Sequence, residues 1–457
     1  MAQTARDDAL AILRAGIQRV DPYTMVQDAL TVDGSILTVA TETERFEFDL
    51  SRYSRIVVTG AGKATAPMAR GIESILGDRI SGGVIAIKAG HGDDLETIRS
   101  IEGGHPVPDE GSIEAARAVL DLAETVDEST LVLNLISGGG SALLTLPYRD
   151  STSRISLDEM RRTTSVLLSC GATIQEINSV RKHISAIKGG RIAEAFAPAT
   201  VMSLILSDVV GDDLSSIASG ITAPDVTTWA DADRVFRKYG IEGEVPEGVA
   251  ALVERGLSGG APETPKPDNP IFDRVYNVLL GSNPQALAGA YRTAVERGYD
   301  TVVLTSQITG EAREVAKVYA GIARDLVRRN AVTSPLATLP ACVIAGGETT
   351  VTIRGSGKGG RNQEMAVAFL AEFFTGTDTL EGVTFLSGAT DGNDGPTDAA
   401  GGFADDEALS AFHSREIDPM EVLAASDAYH ALEATGALVK TGPTNTNVCD
   451  IQVLLVR

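Results

Sequence analysis

Cysteine is scarce in this sequence, with three residues in 457, and tryptophan occurs once. Cys170, Cys342 and Cys449 are odd in number and far apart, which excludes a disulfide framework or a cysteine metal site and predicts reduced, buried thiols. No window approaches eighteen apolar residues, so a membrane-spanning helix is excluded. The N-terminus shows no basic segment followed by a cleavage site, and we therefore expect a cytoplasmic protein.

Positive charge is also in short supply. Lys and Arg total 39 against 62 Asp and Glu, which gives a formal net charge of −23. A protein that neutralises nucleic-acid phosphates needs a basic face, so this balance argues against a nucleic-acid partner. The hydrophobic fraction of 43% and the charged fraction of 22% are those of a soluble globular protein.

The chain is too long for one ordinary hydrophobic core, and we expect two domains. Residues 257–270 hold four prolines and no periodicity, which indicates a linker between domains at 1–260 and 271–457. Short β-branched runs alternate with helical patterns, as in parallel α/β architecture. The clearest predicted strands are 55–59, 83–87, 131–136, 201–206, 275–280, 301–305, 341–345, 383–386 and 450–456.

Polar, glycine-rich loops follow many of these strands, at the sheet edge where ligands bind, and their number favours one large cleft between two domains. One loop, Ser137–Ser141 (SGGGS), follows a buried strand. Consecutive amide hydrogens at Gly138, Gly139 and Gly140, with two serine hydroxyls, are typical of a phosphate cradle. No Lys-Ser/Thr pair closes it as in a Walker A loop. A tight strand-to-helix connection is the alternative.

Two further turns bring cations next to glycines. Residues 60–65 (GAGKAT) match half of a dinucleotide fingerprint, but Thr65 replaces the third glycine and the expected acidic partner is unconvincing. We interpret Lys63 as an anion-binding group, with a solvated surface lysine as the alternative. Residues 357–361 (GKGGR) place Lys358, Gly359, Gly360 and Arg361 before a helix, which suits phosphate or carboxylate unless the turn is simply exposed.

Several carboxylates occur in loops after apolar strands. Asp391, Asp394 and Asp398 alternate with glycines, as hard-cation sites require, and Mg²⁺ bridging to phosphate oxygens fits better than a calcium-binding EF-hand. An ordinary Asp/Gly turn is the alternative. Asp208 follows the strand 201–206 and could approach the same cleft. His105, in a proline-fixed turn, is either a substrate contact or a structural histidine.

The basic stretch 180–193 places His183 either at the anion site or beside acidic neighbours. Together, the anion cradles, carboxylates and cations, without an obvious covalent nucleophile, are the groups used in phosphoryl transfer. The residues alone do not identify the acceptor.

The same segments resemble the class II glycerate kinases, also called glycerate 2-kinases, over nearly the whole chain. The matching motifs, in the expected order, are GAGKA (60–64), GGHPVPDE (103–110), SGGGSALL (137–144), VRKHISAIKGGRIA (180–193), LSDVVGDD (206–213), GGETTV (346–351), GKGGRNQE (357–364) and ATDGNDGPTDAAG (389–401). The resemblance implies a large Rossmann-like N-terminal domain with a doubly wound sheet, a smaller C-terminal α/β domain and an active site in the cleft between them. It also implies ATP- and Mg²⁺-dependent phosphorylation of D-glycerate, usually to 2-phosphoglycerate.

Carried over by motif, Lys63 and Arg361 are the expected catalytic cations, one for the glycerate carboxylate and one for the transferring phosphoryl group. Asp208 or Asp391 would accept the proton of the attacking hydroxyl, and the other aspartates would lie nearer the metal. His105 would contact the substrate. The nucleotide phosphates would be held by loop 137–141 together with Lys358, Gly359 and Gly360.

The sequence departs from the family near its end. Residues 441–450 read TGPTNTNVCD where the family commonly has TGPTGTNVND, so Asn445 replaces a glycine and Cys449 an asparagine. Asparagine tolerates left-handed backbone angles, and we expect the turn to survive.

Two alternative functions stay open at this point. A hydroxypyruvate reductase would need a nicotinamide site, which the motif at 60–65 supports poorly. A non-catalytic sugar-acid or nucleotide-binding protein would keep the anion loops but would not need Lys63, Arg361 and the aspartates together. As for assembly, a homodimer is expected only because it is the commonest oligomer.

Overall fold

The computed structural model describes residues 4–329, 338–376 and 378–457. The chain forms two compact units. The N-terminal unit is Pro22–Leu280, and the C-terminal unit is Gly281–Arg457 together with the chain up to Asp21. These limits differ from the sequence-based division at 260 and 271. In the described part of the chain, no helix combines the length and apolarity needed to cross a membrane.

The strands of the described residues are β1 (Leu30–Asp33), β2 (Ile36–Ala40), β3 (Arg45–Asp49), β4 (Arg55–Ala61), β5 (Ile80–Lys88), β6 (Ile98–Gly103), β7 (Thr130–Ile136), β8 (Thr200–Leu206), β9 (Val275–Gly281), β10 (Asp300–Val303), β11 (Ala341–Gly347), β12 (Val383–Ala389), β13 (Gly401–Asp405), β14 (Leu438–Val439) and β15 (Asp450–Val456). The strands predicted from sequence are confirmed within a few residues. The small antiparallel sheet β1-β2-β3 and the strands β6, β13 and β14 are additional.

The helices are α1 (Ala5–Arg19), α2 (Pro22–Ala29), α3 (Thr65–Leu76), α4 (Glu110–Ala123), α5 (Gly140–Leu143), α6 (Leu157–Ser169), α7 (Ile174–His183), α8 (Arg191–Phe196), α9 (Trp229–Tyr239), α10 (Glu247–Leu257), α11 (Asn283–Glu296), α12 (Ala312–Val327), α13 (Arg361–Phe374), α14 (Asp406–Ser414), α15 (Pro419–Ala425) and α16 (Ala428–Ala434). Many begin at a side-chain cap. Asp109, for example, accepts a hydrogen bond from the backbone N–H of Ser112 at the start of α4, which anchors the preceding turn to the helix.

The large sheet of the N-terminal unit has the strand order β6-β5-β4-β7-β8-β9. Counted with β4 as the first strand, this is the order 3-2-1-4-5-6 of dinucleotide-binding folds. The pairs β5–β6, β4–β5, β4–β7 and β7–β8 are parallel. The predicted doubly wound, Rossmann-like sheet is confirmed. The order reverses between β4 and β7, so the loops that follow these two strands open side by side.

The core of this sheet explains its sequence pattern. Every residue of β7 and β8 is buried, which is why both read as continuous apolar runs. Their inward side chains, such as Val132 and Val201, pack with Val119 of α4 and Phe196 of α8 in one cluster. The rigid sheet thus fixes the positions of the loops at its carboxyl edge.

A second core in the same unit was not predicted. It joins α6, α7, α9 and α10 around the buried Trp229. The segment predicted as a linker closes this core, since the Pro262 carbonyl accepts a hydrogen bond from Trp229 Nε1 at 3.2 Å and Glu263 Oε1 accepts one from the Trp229 amide at 3.0 Å. The segment predicted as a linker thus contacts the helices of the N-terminal unit and lies within that unit.

The sheet of the C-terminal unit has the order β10-β11-β15-β12-β13-β14. Here the expectation of parallel architecture is corrected. Among the described residues only β10 and β11 pair in parallel, because the last strand, β15, inserts antiparallel between β11 and β12. Helix α1 packs on α11 and β15, with Ile12 and Leu13 wholly buried, which is why the start of the chain belongs to this unit.

None of the three cysteines forms a disulfide bond. Cys342 and Cys449 are buried as predicted, and Cys170 is partly exposed.

Candidate functional site

The two loops at the reversal point of the N-terminal sheet are bonded to each other. The Lys63 amide donates to the Gly138 carbonyl at 2.9 Å, and the Ser137 amide donates to the Ala61 carbonyl at 3.1 Å. Ser137 Oγ also accepts a hydrogen bond from the Ala64 amide at 3.0 Å. Residues 60–65 and 137–141 therefore form one framework, and Thr65 Oγ1 lies 3.2 Å from Ser137 Oγ.

Glycines in this framework bring three predicted site residues against loop 137–141. A Cβ atom at Gly138 would collide with the Asp208 carboxylate. A Cβ atom at Gly139, whose φ is 85°, would lie 2.9 Å from His105 Cδ2 and 3.4 Å from Lys63 Cγ. Only glycine fits these close approaches. Lys63, His105, Asp208 and loop 137–141 thus border the same space in the N-terminal unit.

The loop has donors left for an anion. Within the described residues, the amide groups of Gly138 and Gly139 make no hydrogen bond, whereas the Gly140 amide donates to the Ser137 carbonyl. Two adjacent unpaired N–H groups beside a lysine suit an oxyanion.

His105 is uncharged at neutral pH. Burial lowers its pKa, the positive charges of Lys63 and Lys88 and the nearby His91 lower it further, and it falls to about 4. The imidazole can therefore offer one N–H donor and one acceptor nitrogen without adding charge beside Lys63.

Ser219, Asn178 and Lys188 hold the Ser141 end of loop 137–141 in place, and the sequence did not predict this role for them. Ser141 Oγ lies 2.7 Å from Ser219 Oγ, which donates to Asn178 Oδ1 at 3.2 Å. Lys188 is wholly buried, and its Nζ donates to the carbonyls of Ser141 at 2.7 Å and Leu144 at 3.3 Å. Burial holds the pKa of Lys188 well below its usual range. The basic stretch 180–193 was the available sequence signal, but nothing in the sequence joins it to loop 137–141.

His183 has structural partners in this region. Its Nδ1 lies 2.6 Å from the Ser179 carbonyl oxygen and its Nε2 lies 3.1 Å from Glu263 Oε2. Although burial alone would raise the pKa of Glu263, hydrogen bonds from His183, the Trp229 amide and Lys266 lower it to about 2. Of the two alternatives for His183, the acidic neighbour is the one observed.

In the C-terminal unit, Arg361 is held by carboxylates. It donates from Nε to Asp450 Oδ2 at 2.6 Å, from Nη2 to Asp450 Oδ1 at 2.9 Å and from Nη1 to Glu348 Oε1 at 2.8 Å. Burial would lower its pKa, but these two carboxylates raise it above the ordinary value. Arg361, the expected catalytic cation, therefore uses all three of its guanidinium nitrogens in hydrogen bonds to Asp450 and Glu348.

The glycines of the turn 357–360 pack against protein. A Cβ atom at Gly360 would collide with Asp394, and one at Gly357 would collide with Asp427. Lys358 Nζ lies 4.3 Å from the ring centroid of Tyr429, a cation–π contact. The glycines were predicted to allow the backbone to approach a ligand closely, but here they allow it to approach Asp394 and Asp427 of the same unit.

The three aspartates predicted as metal ligands have separate partners. Asp394 accepts from the amides of Asn362 at 3.1 Å and Gln363 at 2.8 Å, capping α13, and burial together with the charge of Asp450 raises its pKa to about 7. Asp391 accepts from the Asn393 amide at 3.0 Å.

Asp398 lies apart from these two. It accepts from Tyr429 Oη at 2.6 Å and Lys440 Nζ at 2.9 Å, and these two hydrogen bonds lower its pKa to about 2. Among the residues described, no group of three or more His, Cys, Asp or Glu side chains could hold a metal ion, so the predicted trio does not assemble.

Two family models match the chain. Residues 8–254 match a domain of unknown function, DUF4147, and residues 341–450 match the MOFRL family.

Similar proteins cover nearly all of the sequence. A glycerate 2-kinase from Pyrococcus horikoshii is 40% identical over 100% of this chain and 98% of the relative. A putative hydroxypyruvate reductase from Agrobacterium vitis is 40% identical over 88% of this chain and 87% of the relative. The crystal structure of glycerate kinase from Thermotoga maritima superposes with a TM-score of 0.83 at 38% identity, covering 98% of this chain and 99% of that one.

Proposed function

Because the chain belongs to the glycerate kinase family that carries the DUF4147 and MOFRL domains, we propose that it phosphorylates D-glycerate with ATP. The γ-phosphoryl group is transferred to the 2-hydroxyl, which gives 2-phosphoglycerate and ADP. The observation that carries the proposal is the meeting of Lys63, His105, Asp208 and the glycine loop at the reversal point of the sheet.

Each of these groups has a task in phosphoryl transfer, which depends on positioning and on neutralising charge. The amides of Gly138 and Gly139 bind phosphate oxygens, and the ammonium of Lys63 neutralises charge next to them. Neutral His105 hydrogen-bonds the substrate. Asp208 accepts the proton of the attacking hydroxyl as the new O–P bond forms and the bond to ADP breaks.

Asp391 is the second candidate base carried over from the family, and it belongs to the C-terminal unit. We favour Asp208 because it borders Gly138 in the framework that presents the unpaired amides. Arg361, Lys358 and the turn 357–360 remain candidates for contact with the phosphates or the carboxylate.

The remaining component of the proposed reaction is Mg²⁺. The described residues do not assemble a three-ligand acidic site. Mg²⁺ commonly keeps several waters and uses one or two carboxylates with substrate phosphates. We therefore propose that Mg²⁺ enters as the counter-ion of ATP.

The test is ADP release from the purified protein with D-glycerate, ATP and Mg²⁺, followed by identification of the product by NMR or by a coupled enolase assay. Release that depends on D-glycerate and yields 2-phosphoglycerate supports the proposal. Absence of ADP under conditions where both substrates bind would reject it in favour of a binding protein.

A reductase is the second candidate, because the strand order 3-2-1-4-5-6 is also that of dinucleotide-binding domains. Against it, Thr65 occupies the place of the third glycine and bonds to Ser137. NADH oxidation with hydroxypyruvate, measured on the same preparation, decides between the two reactions.

A further inference from the structure

Four cations lie within residues 181–191, and three of them have internal partners. Lys182 Nζ pairs with the buried Asp225 at 3.3 Å. Arg191 Nη1 donates to the carbonyls of Lys182 and Ser185, at 3.0 and 2.8 Å. Lys188 donates to the carbonyls of loop 137–141 and Leu144.

Arg181 is the exception. Within the described residues it makes no hydrogen bond and no ion pair, although its side chain is partly buried. Burial lowers its pKa. Burying a guanidinium without an acceptor costs free energy, so an arginine in this state is a candidate for binding an anion that arrives from outside.

Two observations place Arg181 near the Ser141 end of the glycine loop. Asn178 precedes it by three residues on α7, hence on the same face of the helix, and Asn178 is joined through Ser219 to Ser141. Arg181 is also close enough to Lys188 for their repulsion to lower the pKa of Lys188, and Lys188 Nζ lies 2.7 Å from the Ser141 carbonyl oxygen.

We infer that Arg181 binds an oxyanion of the substrates, either the carboxylate of glycerate or a phosphate of the nucleotide, next to Ser141. A guanidinium presents two parallel N–H donors that match either group. The inference rests on the proposed function for the identity of the substrates, but binding itself does not require turnover.

Calorimetric titrations of the unmodified protein and of Arg181→Gln with ATP, D-glycerate and inorganic phosphate test it. We expect at least a tenfold loss of affinity for one or more of these anions, about 1.4 kcal/mol. The anion affected identifies the source of the oxyanion. Arg181→Lys should retain part of the affinity, because it keeps the charge but loses the fork. Arg162→Gln, which removes an exposed arginine of α6, is the matched control and should bind normally.

Thermal melting separates binding from a structural role. Arg181→Gln removes an uncompensated, partly buried charge. Without ligand, its melting temperature should therefore be equal to or higher than that of the unmodified protein. Unchanged affinity for all three anions overturns the inference, as does a lower melting temperature with normal binding. Failure of all three anions to bind the unmodified protein overturns it too. A protein that binds anions through Arg181 but forms no ADP upholds the inference and rejects the kinase.

Discussion

The guanidinium of Arg361 forms a two-pronged ion pair with the carboxylate of Asp450, with N–O distances of 2.6 and 2.9 Å. Asp450 is wholly buried at the start of β15, and burial raises its pKa while Arg361 opposes that rise. The arginine thus stabilises the charged form of a buried carboxylate. Any action of Arg361 on a substrate comes in addition to this structural task.

Arg361→Ala should lower the free energy of unfolding by about 3–5 kcal/mol, because it leaves a buried carboxylate without its partner. Urea unfolding followed by circular dichroism measures the change. The family resemblance suggests instead that this variant loses turnover while the fold persists.

The double variant Arg361→Ala/Asp450→Asn separates the two roles. It removes the orphaned charge, so it should recover much of the lost stability. If the double variant is stable but has lost turnover at least about a hundredfold, Arg361 also acts in catalysis. Unchanged stability of the single variant would contradict the structural role.

Lys63→Ala should reduce kcat by at least about a hundredfold, because a charge positioned for the transition state is lost. Its melting temperature should stay close to that of the unmodified protein. Steady-state kinetics with D-glycerate and ATP measure the effect. Lys317→Ala removes an exposed lysine of α12 and should keep full activity. Equal rates for the two variants would remove Lys63 from the proposed site.

Gly138→Ala tests the contact between the glycine loop and Asp208. The added methyl group would displace the carboxylate, so we expect turnover to fall at least tenfold, as for a misplaced catalytic group. Gly243→Ala is the control, since a Cβ atom there meets nothing within 4 Å and its φ is ordinary for any residue. Normal turnover of Gly138→Ala would show that the position of Asp208 is unimportant.

Local pattern predicted the N-terminal sheet and the residues that meet at its reversal point, because parallel strands bring their following loops to one edge. It failed where the partner is remote in sequence. Arg361 lies 89 residues before Asp450, and no periodicity signals their pairing. The glycines within 357–360 correctly predicted a close backbone approach, but they did not reveal that the approaching groups are Asp394 and Asp427. Likewise, the prolines in 257–270 indicated a linker, whereas Pro262 and Glu263 in this segment accept hydrogen bonds from Trp229 of α9.

His105 predicts a pH dependence of stability. Its pKa is about 4 in the folded protein against 6.5 for an ordinary histidine, so between these values the unfolded chain binds a proton that the folded chain does not. The contribution of this group to stability is therefore complete above about pH 6.5 and is lost as the pH falls towards 4.

Melting temperatures at pH 7 and pH 5 measure this effect. His105→Asn should show a smaller decrease between the two than the unmodified protein. His413→Asn, which replaces an exposed histidine of α14, should keep the original decrease. A decrease in His105→Asn as large as in the control would count against a depressed pKa.

The final turn offers a test of backbone strain that is independent of catalysis. Asn445 has φ 60°, which confirms the expectation that asparagine adopts the left-handed conformation at this turn. Its exposed side chain makes no hydrogen bond within the described residues, so the backbone alone should decide the effect of substitution. Asn445→Ala should lose about 1 kcal/mol of unfolding free energy, because asparagine adopts the left-handed region more readily than alanine does. Asn445→Gly should unfold at nearly the same urea concentration as the unmodified protein. If alanine proved as stable as glycine here, the left-handed conformation at this turn would be refuted.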